Sequence, residues 1–478
     1  MISAPSKVLI NGAYLILKPE YQGMVLSTSA RIYCFAEEEL TELESAGEEN
    51  WTSLIQVSCK QLSGDWEFKV SYNEETQTLT VKSESDPNPF LSAAIQVAFS
   101  QYFTSSSKED QTAFNHKILT FHILTDNWFY STVGFMSEKN LPPTLQNTQS
   151  LTKFEPIPST LGKTGLGSSA CVTSSFLTCL LTKLSLLGLE RFNNTSINPT
   201  QDHSQFLANS TTTSLKTEIT ADNFTILNIL SQLSNTVAQK KIGSGFDIAS
   251  ALNGSIVYSR SSVPDLGPLA DCFVDGVVSL CQWGGLIGDA LEYGIKKRDC
   301  VTGLKWPSAL KLVLCDVNHG SDTRKMVRQV LEWMKTDPES GVLIEELNGL
   351  NVKLSELILS RGDQDIANDP SFAEESRQLC KQVRAKLKEM GQRSGTEIEP
   401  DAQSKLLDQI FDTIEGTVYC SVPGAGGYDA LFCLGIGEDY AEKIDAFTKE
   451  VNLTGTSICI LPVSCDGDVG VAFHSLGQ

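Results

Sequence analysis

The chain has 478 residues, 41% hydrophobic and 20% charged, a length that suits two average domains and a balance ordinary for a globular protein. Its 58 acidic side chains outnumber 37 basic ones, a formal charge of −21, which argues against a nucleic-acid surface, because counterion release needs a basic stripe. Any site for an anion must then be built from a few local Lys and Arg side chains and backbone N–H groups.

In chain order, residues 7–17 (KVLINGAYLIL) and 24–35 (MVLSTSARIYCF) are apolar and β-branched and read as strands. Residues 66–82 alternate around a polar turn and read as a hairpin. A helix is expected over 89–103, opened by Pro89 after Asn88, and a strand over 118–124 (ILTFHIL). A glycine-rich loop at 161–171, LGKTGLGSSAC, runs into a helix from about Ser168 to Leu187, with Gly188 as its stop signal. Residues 191–222 are rich in Ser, Thr and Asn, and read as a polar surface insertion. A helix over 223–240 leads into KIGSGFDIAS. A second region opens near 261, with a strand at 311–317, amphipathic helices at 321–336, 341–360 and 371–391, and strands near 416–421, 430–436 and 457–462. The expectation is α+β, with domains 1–260 and 261–478.

Thirteen cysteines are scattered without CxxC spacing, the pattern of reduced thiols and not of a zinc site or disulfide framework. No apolar run is long enough to span a bilayer, and MISAPSKVLINGAYLIL is no signal peptide. A cytoplasmic protein without membrane insertion is expected.

Three familiar devices begin like LGKTGLGSSAC. A P-loop would need glycine five residues before Gly162, where Ile157 stands. A dinucleotide fingerprint is satisfied by Gly165, Gly167 and Ala170, but KFEPIPST before the loop is no buried strand, and Glu190 ends a helix. The plain alternative is a helix N-terminus capped by Ser168 or Ser169. That accounts for the serines but not for two glycines beside Lys163. Uncovered N–H groups at a helix start, with a lysine at the edge, make an anion site, and phosphate is the favoured anion. A second stretch, VPGAGGYDALFCL (422–434), packs Gly424, Gly426 and Gly427 into four residues, more than a tight turn needs.

Together with SAPSKVLINGAYLIL, these stretches resemble the three motifs of the GHMP kinase superfamily. Within it the chain is most similar to phosphomevalonate kinases of the eukaryotic, fungal type. DPNPF (86–90), DNWFYS (126–131), KIGSGFD (241–247), DVNHGSDTRKMV (316–327) and IEP (398–400) extend the resemblance in order over most of the chain. It implies a two-domain fold, the N-terminal domain carrying a left-handed βαβ unit and the C-terminal domain ferredoxin-like. It also implies ATP and Mg²⁺ in the cleft between them, and phosphorylation of (R)-5-phosphomevalonate to (R)-5-diphosphomevalonate in the mevalonate route to isoprenoids and sterols. A monomer acting on small molecules is the expected form.

Carried over residue by residue, the resemblance puts ATP on Gly162, Lys163, Thr164, Gly165, Leu166, Gly167, Ser168 and Ser169, with Mg²⁺ on one of the two serines. Asp247 becomes the catalytic carboxylate, and Lys7 and Lys163 become cations at the transferring phosphoryl. Lys7, Tyr14, Ser244, Gly245, Asp247, Gly424, Ala425, Gly426 and Gly427 would line the acceptor side. Without the family, Asp247 reads as a helix N-cap, Lys7 as a solvated strand-end lysine and Tyr14 as a buried strand tyrosine. Ser6 and Ala13 stand where relatives usually have glycine. Thr236 occupies the position of the metal-binding glutamate of mevalonate kinases. Lys240, Lys241, Arg260 and Arg324 are the candidates for the acceptor's phosphate. Two other readings stay open: a sibling kinase such as a mevalonate kinase, and a non-catalytic ligand sensor for which Ser6 is the only support.

Overall fold

The computed structural model describes residues 1–476 except 44–50, 84–85, 159–160, 190–196, 198–201, 261–263, 298–300, 318–320 and 468. Two β-sheets organise these residues. The larger holds β1 (Ile2–Leu9), β2 (Gln22–Ala36), β3 (Thr41–Glu42), β4 (Trp51–Cys59), β5 (Gly64–Asn73), β6 (Thr78–Ser83), β7 (Lys117–Thr125), β8 (Ser210–Ser214), β9 (Ile256–Ser259), β10 (Phe273–Val274), β11 (Val277–Ser279) and β12 (Val301–Gly303). The last strand, β17 (Ala472–Leu476), completes it. Its main path runs β10-β11-β6-β5-β4-β7-β2-β1-β17-β8. Among the described residues β4 and β7 are its parallel pair, and the chain between them includes the helix Pro89–Ser105. That helix starts where expected: Pro89 needs no N–H partner at the first position, and the Asn88 side chain accepts from Phe90 and Leu91. Its apolar face packs on the helices Ser168–Lys183 and Ala221–Gln239 beneath the sheet.

The smaller sheet is antiparallel, in the order β14 (Thr417–Ser421), β15 (Ala430–Ile436), β13 (Leu310–Asp316), β16 (Cys459–Leu461). Helices separate β13 from β14, and the helix Tyr440–Asn452 separates β15 from β16. This β-α-β-β-α-β order, with the first strand between the third and fourth, is ferredoxin-like.

Three expectations need correction. First, strand pairing does not change at residue 260. β11 pairs with β6, β12 pairs with β9, and β17 returns to pair with β1, so 273–303 and the C-terminal strand join the first sheet. Second, part of the expected insertion (191–196 and 198–201) lies outside the described residues, but the rest is built structure. The helix His203–Asn209 is capped by Asp202, β8 pairs with β17, and Leu215 is fully buried. An edge strand such as STTTS needs little apolar surface, because its ladder with β17 and threonine's β preference suffice. Third, the strand expected over 7–17 ends at Leu9. Gly12 (φ 85°) and Tyr14 (φ 62°) reverse the chain, and Leu15–Leu17 form a 3₁₀ turn. A β-carbon on Gly12 would lie 2.7 Å from Gly23 Cα, so the backbones cross where only glycine fits.

Candidate active site

A cavity of about 440 Å³ opens between the two sheets and receives residues from the first strand's motif and from both glycine-rich stretches. Lys7 enters it from β1. The ladder with β2 shifts register between Pro5 and Lys7, and the freed Lys7 N–H donates to Leu166 at 3.2 Å. The Lys7 ammonium donates to the Gly165 carbonyl at 3.3 Å and stands 5.3 Å from the Phe246 ring centroid. Burial lowers the Lys7 pKa, and the charge of Asp247 works against that shift. Both side chains line the cavity wall, where each feels the other's charge.

Ser6, the departure that supported a sensor, points elsewhere. It is fully buried, with its hydroxyl on Thr28 Oγ1. It does not line the cavity.

The second stretch divides in two. Gly162 and Thr164 brace it: Gly162 accepts from Ser131, Thr164 Oγ1 donates to Trp128, and Lys163 bridges Tyr130. Thr164, Gly165, Leu166 and Gly167 line the cavity. Gly167, not a serine, is the N-cap of the helix Ser168–Lys183, in the left-handed region at φ 82°. A β-carbon there would meet Lys7 Cε at 2.8 Å, so the glycine serves both the turn and the lysine. Gly165 is also left-handed, at φ 73°, and nothing lies within 4 Å of where its β-carbon would be. A glycine with room to spare leaves its backbone open to a ligand. Ser168 and Ser169 become the first residues of the helix, half-buried, and their hydroxyls make no hydrogen bond among the described residues. With the positive end of a sixteen-residue helix behind them, this segment is a cradle for an anion.

Asp247 lies in the first turn of the helix Phe246–Asn253, whose N-cap is Gly245 at φ 85°. Two clamps hold the turn before it: Tyr258 donates to the Ser244 carbonyl at 2.6 Å, and Gln232 to the Gly245 carbonyl at 2.8 Å. Asp247 does not cap its helix through a distant N–H; among the described residues its carboxylate accepts from Ile248, the next residue, at 3.0 Å. The carboxylate and Ser244 line the cavity, while Gly245 lies behind them.

The third stretch closes the opposite wall with Gly424, Ala425 and Gly426. Gly424 N–H reaches back to the Leu9 carbonyl at 3.3 Å, and Tyr14 donates to the Ala425 carbonyl at 2.6 Å. Burial raises the Tyr14 pKa, so the phenol stays neutral. Gly427 faces away, donating to Ile398 at 2.9 Å. Ile398 is followed by Glu399, which accepts a two-pronged bond from buried Arg384. The IEP stretch thus supports the glycine loop from behind.

Several expected residues do not gather here. Lys163 is exposed and outside the cavity wall, as are Lys240 and Arg324. Arg260 is bound to the Gly243 carbonyl, which fixes the turn before Asp247. Of the four cations proposed for the acceptor's phosphate, Lys241 lines the cavity. Thr236 is buried, its hydroxyl on the Gln232 carbonyl. Sequence reasoning missed Asn235, Gln239, Thr323 and Asp429, which all line the cavity. Asp429 lay inside the quoted third stretch, and its place two residues past the glycines was the signal.

An anion cradle at a helix N-terminus, a lysine in the field of a carboxylate and a glycine wall from a ferredoxin-like unit define a small-molecule kinase of the GHMP type. Comparison with known proteins narrows this. No protein-family model matches the chain. It is 31% identical to a phosphomevalonate kinase of Candida albicans, over 90% of this chain and 88% of that one. It is 30% identical to phosphomevalonate kinase ERG8 of Gibberella zeae, over 99% and 96%. A relative from Arabidopsis thaliana named "Phosphomevalonate kinase, peroxisomal" is 27% identical over 94% and 92%. The chain belongs to the phosphomevalonate kinase family. Among solved structures, a Lin0012 protein of Listeria innocua matches with a TM-score of 0.60 at 17% identity, over 100% of this chain and 99% of that one. The Streptococcus pneumoniae phosphomevalonate kinase in complex with phosphomevalonate and AMPPNP matches at 0.50 and 14%, over 96% and 98%. Both likenesses are of fold.

Proposed function

We propose that this protein transfers the γ-phosphoryl group of ATP to (R)-5-phosphomevalonate, giving (R)-5-diphosphomevalonate and ADP. Family membership names the reaction. The observation that carries the assignment of residues is a single cavity lined by Lys7, Asp247, the loop 164–167 and the wall 424–426.

Phosphoryl transfer rests on in-line positioning and on neutralising charge. In this reading the open N–H groups from Gly165 onward, at the start of the helix Ser168–Lys183, hold the terminal phosphates of ATP. Lys7, fixed between Gly165 and Phe246, balances charge on the transferring group. This task falls to Lys7 in preference to exposed Lys163. The acceptor is a phosphate whose second ionisation lies near about pH 6, so it arrives largely ionised at neutral pH. Asp247 then holds Lys7 and the acceptor in register more than it removes a proton. In this reading Lys241, which lines the cavity, takes the acceptor's own phosphate.

Magnesium fits the donors present: the hydroxyls of Ser168 and Ser169, unengaged among the described residues, offer the oxygen ligands a hard cation prefers. When bound there, it would neutralise charge on the β- and γ-phosphates. Among the described residues no helix is long and apolar enough to cross a membrane. We read the protein as a cytoplasmic monomer, to be checked by cell fractionation and by its mass in solution.

The test is ADP release with Mg·ATP and 5-phosphomevalonate, mevalonate, homoserine or galactose as acceptor. Turnover confined to 5-phosphomevalonate is expected. Preference for mevalonate would move the protein to the sibling kinase, and nucleotide binding without turnover would make it a sensor.

A further inference from the structure

Asp429 is the cavity carboxylate to which phosphoryl transfer gives no task. It stands just before β15, on the wall that carries the third glycine stretch, whereas Lys7 and Asp247 come from the first sheet's side. One face of it is occupied, because Ser321 offers both its backbone N–H and its hydroxyl. No cation among the described residues pairs with it, and the neighbouring charge, Asp316, has the same sign. Asp316 is itself engaged, accepting from the Ser131 hydroxyl at 2.8 Å and from Val133 N–H at 3.1 Å. Burial and Asp316 together push the Asp429 carboxyl up to about 6.

A half-buried carboxylate without a cation is unfavourable in the free protein, and its position on a ligand cavity points to a partner on the ligand. The phosphates of ATP and the phosphate and carboxylate of the acceptor are repelled by it. Lys7 and Lys241 are the cavity cations available to them. The acceptor has one neutral hydrogen-bond donor, its tertiary hydroxyl at C3. We infer that Asp429 accepts a hydrogen bond from the C3 hydroxyl of the acceptor and so selects for that hydroxyl. The inference rests on the 5-phosphomevalonate reading above. Without the hydroxyl, the carboxylate would be desolvated by the bound ligand and left unpaired, the situation that gives the strongest discrimination by a binding site.

The experiment compares kcat/KM for 5-phosphomevalonate with that for its 3-deoxy analogue, in wild type, Asp429→Ala and Asp429→Asn. Binding of Mn²⁺ in the presence of ATP is measured in parallel by electron paramagnetic resonance. Wild type should prefer the hydroxylated acceptor by about thirtyfold or more, the worth of a hydrogen bond to a charged group. Asp429→Ala should lose most of that preference, and Asp429→Asn, whose amide oxygen still accepts, should keep much of it. Mn²⁺ affinity should be unchanged in both variants. An unchanged preference in Asp429→Ala overturns the inference while leaving the reaction in place. A fall in Mn²⁺ affinity in both variants also overturns it, making Asp429 a metal ligand. Wild type inert toward 5-phosphomevalonate overturns the functional reading, and this inference with it.

Discussion

The Tyr14 hydroxyl donates to the Ala425 carbonyl at 2.6 Å, joining the turn after the first strand to the glycine wall 411 residues later. Tyr14 adopts φ 62°, a conformation unfavourable for its side chain and held by the surrounding fold. Both residues line the cavity between the two sheets, so the bond ties the turn after β1 to the glycine wall at the cavity's edge.

Tyr14→Phe removes this bond and little else. Stability should fall by about 1 kcal/mol, the usual worth of a neutral hydrogen bond. kcat/KM for 5-phosphomevalonate should fall severalfold, because the Ala425 wall is no longer fixed against the turn. Urea unfolding and steady-state kinetics read the two effects, and an unchanged kcat/KM would show that the bond is structural alone.

Lys7 and Asp247 should separate chemistry from folding. Asp247→Asn and Lys7→Met should each lower kcat by about a hundredfold or more, in the range of lost electrostatic stabilisation at a transition state. ATP binding should persist in Asp247→Asn. Lys7 has its pKa lowered by burial, so between that value and the unfolded one the unfolded chain binds more protons. Stability therefore rises with pH across that window. Lys7→Met removes a costly charge, and its melting temperature should equal or exceed that of wild type at pH 7. A lower one would mean that the attraction of Asp247 outweighs burial.

The glycine spacing exposed the cradle, because left-handed turns and open N–H groups leave a mark in composition at Gly165, Gly167 and Gly424. It was silent on which glycine serves what. Gly167 makes room for Lys7, Gly426 avoids Ile398, and Gly165 faces open space, yet all three read alike. The strand β17 was invisible for a different reason. Its pairing with β1 depends on residues 471 positions apart, which no local pattern encodes. Asp429 carries no periodicity, so its place two residues past the glycines was the one local signal; its neighbours Ser321 and Asp316, distant in sequence, are what make it unusual.

Alanine at two of these glycines should have different consequences. At Gly426, φ 77°, a β-carbon would fall against the Ile398 carbonyl oxygen, well inside van der Waals contact. Gly426→Ala should cost about 2–4 kcal/mol, strain and clash together, and lower expression as soluble protein. At Gly165 the cost should be only the left-handed conformation, about 1–2 kcal/mol, but the affinity for ATP should drop because the methyl group intrudes on the cradle. Equal melting temperatures for the two variants would contradict this division.

Arg384 and Glu399 form a buried pair, strengthened by the Ser404 hydroxyl on Glu399 Oε1 at 2.9 Å. Asp408 stands 2.8 Å from Arg384 and Lys388 3.3 Å from Glu399, so breaking the pair from one side removes its strongest bonds and leaves the remaining charge with one weaker partner. Arg384→Met or Glu399→Gln should destabilise the protein by about 1.5–3 kcal/mol, the worth of a hydrogen bond to a charged group. Because Ile398 holds Gly427, the milder of the two variants should also weaken substrate binding at temperatures where it remains folded. The double replacement Arg384→Met with Glu399→Leu should recover much of the lost stability, and a double variant as unstable as either single one would show that the pair does more than balance its own charges.

The last prediction concerns pH. The Asp429 carboxyl is held up to about 6, above its ordinary value, by burial and by Asp316. Between the ordinary value and about 6 the folded protein binds more protons than the unfolded chain, so this group's stability contribution is present at acid pH and lost as pH rises through about 6. Asp429→Asn removes the charge that is unfavourable above that pH and keeps an oxygen for Ser321. It should therefore stabilise the free protein by about 2 kcal/mol at pH 8 and by little at pH 4, a difference read by chemical unfolding at the two values. The direction opposes the expected loss of hydroxyl selectivity in Asp429→Ala. A residue that costs stability in the free protein and returns selectivity with the acceptor is one retained for the ligand, as at other strained sites. Equal stability of wild type and Asp429→Asn at both pH values would mean that the carboxylate is adequately solvated and that the cavity is wetter than its lining implies.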